Sequence, residues 1–213
     1  MRQLFAAAAL LLAVCFVPAD VFDVPLTAAT RDDFSAVCAT LSAHPVQKGD
    51  FTQTKHIAKL NRALVSSGAY LISRDGGIVW QTKKPFPSVL IITPSAITQT
   101  AASGKTSVLV AGSNPTFESF SGIIRSVFAG GDGLNERQFD IFFSRSAAGW
   151  TLGLVPKDDA VRAVAQRFVL TGETALQSVT MHEPGGDFVR YEFANQTFPA
   201  ALTDDEKVLF SVR

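Results

Sequence analysis

Residues 49–93 hold four strand-like runs with little chain between them, and they constrain the fold more than any other stretch. Phe51, Gln53, Lys55 and Ile57 alternate with Asp50, Thr52, Thr54 and His56. Gly68, Tyr70, Ile72 and Arg74 alternate with Ala69, Leu71 and Ser73. After a turn at Asp75-Gly76-Gly77, Ile78, Trp80 and Thr82 alternate with Val79 and Gln81. Successive side chains of a strand point to opposite faces, so period-two runs joined by an Asp-Gly-Gly turn predict an antiparallel meander. The fourth run, Val89-Leu90-Ile91-Ile92, is apolar on both faces. A sheet apolar on both faces must be covered twice. One cover is the domain's own core, and the expectation for the other is, in part, a greasy ligand.

The rest of the chain fits around this meander. Thr30-Arg31-Asp32-Asp33 reads as a capping-box variant opening a helix with Phe34, Val37, Cys38 and Leu41 on one side, and His44-Pro45 ends it. Strands are expected near Ser95 to Thr100 and at Ser107 to Ala111. Asn114-Pro115 then starts a second helix, lined on one side by Phe117, Phe120, Ile124, Val127 and Phe128. Alternating runs return at Phe139 to Phe143, Trp150 to Val155, Phe168 to Leu170 and Val179 to Met181. Val189 to Phe193 follows a turn at Glu183-Pro184-Gly185-Gly186, and Val208-Leu209-Phe210 closes the chain as a strand. About eleven short strands and two helices, with no repeat or linker, predict a mainly β (α+β) domain. One curved antiparallel sheet or barrel is expected, and a closed or half-closed sheet of so many strands can enclose an interior of ligand size.

Composition narrows the function. Lys+Arg and Asp+Glu number 19 each, which argues against nucleic acid or an anionic lipid surface as partner. Hydrophobic residues make up 47% and Phe alone occurs 17 times, ample for a core. Residues 1–19 read as a signal peptide: Arg2 supplies the charge, Leu4 to Val17 the apolar stretch, and Val17-Pro18-Ala19 a cleavage site. The expectation is an exported domain over residues 20–213. Leu12-Ala13-Val14-Cys15 loosely resembles a lipobox, so lipid anchoring through Cys15 is the alternative. Without the leader only Cys38 remains, which rules out an intrachain disulfide and leaves Cys38 as a small buried hydrophobe.

Catalytic patterns are missing. His44, His56 and His182 lack metal-ligand spacing, so no metal and no cofactor is expected. Ala102-Ser103-Gly104-Lys105-Thr106 mimics the end of a phosphate loop but lacks its first Gly and reads as a polar turn. No Gly-x-Ser-x-Gly occurs. Asp158-Asp159 and Asp204-Asp205 are adjacent pairs, placed in solvated loops rather than in a glycosidase dyad. The expectation is a carrier or binder, not an enzyme.

Phe51-Thr52-Gln53, Gly68, Arg74, Trp80 and Pro85-Phe86, in this order and spacing, resemble the LolA-type periplasmic lipoprotein carriers, in particular their divergent LolA-like members. The resemblance implies helices lidding a half-open barrel, with a hydrophobic cavity between sheet and lid. It implies acylated lipoprotein or lipid cargo, moved from an inner-membrane donor to an outer-membrane acceptor by a monomer. Arg74 would gate the lid, with a simple ion pair to Asp75 as the alternative. Sheet residues Phe51, Tyr70, Ile72, Trp80, Phe86, Leu90 and Ile92, with helix residues Phe117, Phe120, Ile124 and Phe128, are the candidate cavity wall. Which face of each strand looks inward stays open. A lipid-sensing or scaffolding module of the same shape is the rival reading.

Overall fold

The computed structural model describes residues 20–110 and 134–211. The expected helix carrying Phe117, Phe120, Ile124 and Phe128 lies outside the described residues, as does the leader with Cys15. The alternating runs fold into eleven strands among the described residues. The first six are β1 (Val46–Ile57), β2 (Arg62–Ser73), β3 (Gly77–Lys84), β4 (Ser88–Ile92), β5 (Ala96–Ala101) and β6 (Thr106–Val110). The others are β7 (Phe139–Ser146), β8 (Gly149–Pro156), β9 (Arg167–Gly172), β10 (Leu176–His182) and β11 (Phe188–Thr197). All belong to one antiparallel sheet in the order β6-β5-β4-β3-β2-β1-β11-β10-β9-β8-β7, not closed on itself. β1 pairs with β2 on one side and β11 on the other, so the two halves of the chain meet at its first and last strands. The Asp75-Gly76-Gly77 turn needs its last glycine. Gly77 sits at φ +114°, and a Cβ there would lie 2.0 Å from the Ile92 carbonyl oxygen.

Register decides which face each side chain takes. Tyr70 pairs with Trp80 and Trp80 with Leu90, while Ile72 pairs with Ile78 and Ile78 with Ile92. Phe51 sits opposite both Gly68 and Phe193. All these residues share one face, here called inner. The same face carries Phe139, Phe143, Leu152, Leu154, Phe168 and Leu170 in the second half of the sheet, all fully or nearly fully buried. Helix α1 (Arg31–Ser42) lays Phe34, Val37 and Leu41 into this core. Each such side chain contributes about 1.5–3 kcal/mol by leaving water.

Several expectations are corrected. The capping box at Thr30 does not form: its hydroxyl instead exchanges hydrogen bonds with Thr27, accepting from that residue's N–H at 3.1 Å. Asp158 caps a short helix, α2 (Asp159–Arg162), by accepting from the N–H groups of Ala160 and Val161. Val208 and Leu209 are not a strand but belong to helix α3 (Asp204–Leu209). A capping box of Thr203 and Glu206 opens α3, so Asp204 and Asp205 lie in its first turn.

The second cover of the sheet is also the protein's own. Leu90 and Ile92 face inward, while Val89 and Ile91 face outward with Val46, Leu71 and Val79. Leu202 and Phe210, flanking α3, pack onto that outer patch. Grease on both faces of β4 therefore needs no ligand outside. Any ligand belongs within.

Candidate functional site

The inner face is built in transverse rows. Tyr70, Trp80, Leu90 and Gln99 stand in direct register across β2 to β5, and Ile72, Ile78, Ile92 and Ile97 form the next row. On the other side lie Gly68, Thr82 and Ser88. Gly68 leaves room for a neighbour's ring, since a Cβ there would stand 2.9 Å from Phe51. Phe51 lies against the Trp80 ring with centroids 4.3 Å apart. Tyr191 and Phe193 meet Trp80 edge-on, at 5.1 and 6.1 Å. Such pairs add about 0.5–1.5 kcal/mol each beyond burial, which fixes Trp80 as one wall of a space.

That space is a cavity of about 360 Å³, within the range of small-ligand pockets. Ile78, Trp80, Leu90 and Ile92 of β3 and β4 face Phe168, Val179 and Met181 of β9 and β10 across it. β4 and β9 lie six places apart in the strand order. For both to line one cavity, the sheet must curl over itself, as a half-barrel does. Gln53, Ser66, Thr82, Ser88, Gln99 and Tyr191 complete the wall.

None of the described lining residues carries a charge. An ion entering would lose its hydration without a partner, whereas an alkyl chain loses nothing. Burial pushes the Tyr191 phenol up to about 12, with the Glu183 carboxylate adding to the effect, so it stays a neutral phenol. Every methylene placed here stabilises the complex by about 0.8 kcal/mol. The hydroxyls and amides of the lining offer hydrogen bonds to a neutral linkage. Among the described residues no His, Cys, Asp or Glu group of three suits a metal, and no helix is long and apolar enough to cross a membrane.

The structure sorts the sequence-derived candidates. Trp80, Leu90 and Ile92 line the cavity. Phe51, Tyr70 and Ile72 share the inner face but are packed into the adjoining core. Phe86 stands at the β3–β4 turn, 79% exposed and away from the cavity lining. Arg74 is exposed in the β2–β3 turn, with its backbone N–H donating to Pro45 at 3.0 Å and its guanidinium to the carbonyl of Ser42. It therefore serves the end of α1 rather than an Asp75 ion pair. Cys38 is half-buried on α1, and burial pushes its thiol up to about 11, which keeps it a poor nucleophile. Phe168, Val179, Met181 and Tyr191, with the polar set, were missed. Each sits in a run whose alternation is visible, but only the register tells which parity faces in.

The family model described as outer membrane lipoprotein carrier protein LolA matches residues 45–210. The chain belongs to the LolA family. Among the described residues, its open eleven-stranded sheet with few helices is the LolA-like open barrel. Among solved structures, it is similar to a LolA superfamily protein from Nitrosomonas europaea, at TM-score 0.48 and 9% identity over 84% of this chain and 97% of that one. An outer membrane lipoprotein-sorting protein domain from Vibrio parahaemolyticus gives TM-score 0.43 and 8% identity over 86% and 97%. A DUF1329 family protein from Desulfovibrio piger gives 0.45 and 10% over 81% and 93%. No curated protein matches the chain.

Proposed function

We propose that this LolA family member is a non-enzymatic periplasmic carrier. It takes up the acyl chains of a lipoprotein or related lipidated molecule at the inner membrane and delivers them to an outer-membrane acceptor. The supporting observation is the uncharged cavity, lined by Trp80, Leu90, Ile92, Phe168, Val179 and Met181 together with a few hydroxyls and amides. Affinity there grows with chain length and not with headgroup charge. The chain has two tryptophans, and only Trp80 lines this cavity; Trp150 is buried elsewhere, donating to the Glu173 carbonyl at 3.0 Å. In a Trp150→Phe variant, a neutral amphiphile with a brominated acyl chain should quench the remaining fluorescence saturably. No quenching at saturating probe would refute the carrier. A variant that binds the probe but never yields it to acceptor vesicles would favour a lipid sensor.

A further inference from the structure

The β2 arm of the β1–β2 hairpin outruns β3, while β1 keeps β11 beside it as far as His56. β2 pairs with β1 from Arg62 onward but with β3 only from Ser67, which sits opposite Lys84. Beyond that point β3 leaves the ladder, and Pro85-Phe86-Pro87 turns back into β4 on the same rim. The rim is greasy where solvent should favour polar groups. Leu60, Leu64, Val65 and Phe86 are 63%, 58%, 57% and 79% exposed.

The same two segments hold Lys59, Arg62, Lys83 and Lys84, and residues 57–66 and 83–88 contain no acid. None of these four cations forms an ion pair among the described residues. The acids of the neighbouring β10–β11 turn are engaged: Glu183 pairs with Lys55, and Asp187 accepts from the Ala58 N–H at 2.9 Å. A chain with balanced total charge thus concentrates four free cations at one end. This local excess was invisible in the net charge.

We propose that this rim docks on an anionic bilayer surface. Leu60, Leu64, Val65 and Phe86 enter the headgroup boundary, while Lys59, Arg62, Lys83 and Lys84 meet lipid phosphates. Large apolar tips flanked by long cations suit an interface that is apolar inside and negative outside. The tips project from a hairpin and a turn rather than lining a groove, which favours a fluid bilayer over a shaped protein partner. Ser66 of the cavity wall lies on the same arm, next to Val65. Docking would therefore bring the cavity towards the membrane; this last point rests on the carrier reading, while the docking itself does not.

The test is flotation of the chain lacking residues 1–19 with vesicles of phosphatidylcholine, alone or mixed with phosphatidylglycerol. Binding is expected only on the mixed vesicles, and added salt should weaken it. The pair Lys83→Gln and Lys84→Gln should weaken binding roughly thirtyfold. The pair Leu64→Ser and Phe86→Ser should also abolish flotation, with thermal unfolding unchanged because both side chains are exposed. Equal binding to both vesicles, no binding, or full binding by both double variants would overturn the proposal. So would flotation only with vesicles carrying envelope proteins, which would assign the rim to a protein partner. Docking variants should still show acyl quenching of Trp80. Lost quenching with docking intact would fault the carrier reading alone.

Discussion

The guanidinium of Arg74, in the β2–β3 turn, donates to the carbonyl of Ser42, the last residue of α1. A cation at the helix C-terminus answers both its unpaired carbonyls and its dipole. Because Phe34, Val37 and Leu41 of α1 cover the inner face, this bond tethers a cover to the sheet beneath it. Replacing Arg74 by Leu should cost about 1 kcal/mol or less in urea unfolding, as for one exposed bond. Release of a bound acyl probe should quicken several-fold in stopped-flow fluorescence. An unchanged release rate would remove Arg74 from any gating role.

Leu90 lines the cavity from the middle of β4 and is only partly buried. A charge there would have to be desolvated by any acyl chain that enters. Leu90→Asp should therefore abolish acyl-probe binding, while Leu90→Met, similar in volume, should retain it within about 1.5 kcal/mol. Titration of both variants checks this; a Leu90→Asp protein that folds and binds normally would move the binding site elsewhere.

Gly68 is needed for its lack of a side chain. A Cβ would come within 1.9 Å of the Gln81 carbonyl oxygen and 2.9 Å of the Phe51 ring. The first contact is backbone, so the β2–β3 ladder itself must shift. Gly68→Ala should destabilise the protein by about 3 kcal/mol or more, at the upper end for overpacking. Chemical denaturation measures it, and a loss under about 1 kcal/mol would mean that the two strands separate easily.

Acid should loosen α3 from the outer face. Lys48 donates to the Glu206 carboxylate at 2.8 Å and the Thr203 N–H donates to it at 2.8 Å. These bonds hold the Glu206 carboxyl below the usual range, Lys48 contributing most. A lowered carboxyl pKa stabilises the fold above its unfolded value, near 4.3, and that stability is lost as pH falls from there through the lowered value. Amide exchange at residues 204–210 should therefore show extra opening in this acid window. Glu206→Gln should raise opening at neutral pH and flatten the dependence. Identical profiles for the two proteins would assign the hold on α3 to Leu202 and Phe210 alone.

Local pattern settled a good part of this protein. Alternation placed the strands, the glycine turns placed the hairpins, and the order from Phe51 to Phe86 carried the family. Other features did not show in a linear reading. Thr203 and Glu206 have capping-box spacing as plain as that of Thr30 and Asp33, yet only the former pair closes. Thr30 has Thr27 as a competing partner three residues away. Arg62 to Val65 continue β2 without a readable alternation, because the arm is exposed on both sides.

The site divides the same way. A period of two marks two faces but is blind to which is inner, so Trp80 and Val79 look equally eligible until strands pair. Pairing joins residues far apart in the chain, such as Gln53 with Tyr191 and Trp80 with Leu90, and a slip of one place would have turned every side chain over. Sequence alone determined that there was grease for both faces. Tertiary structure decided that Leu202 and Phe210 cover one and that the other curls round a cavity, because burial is shared between strands and no strand carries it alone.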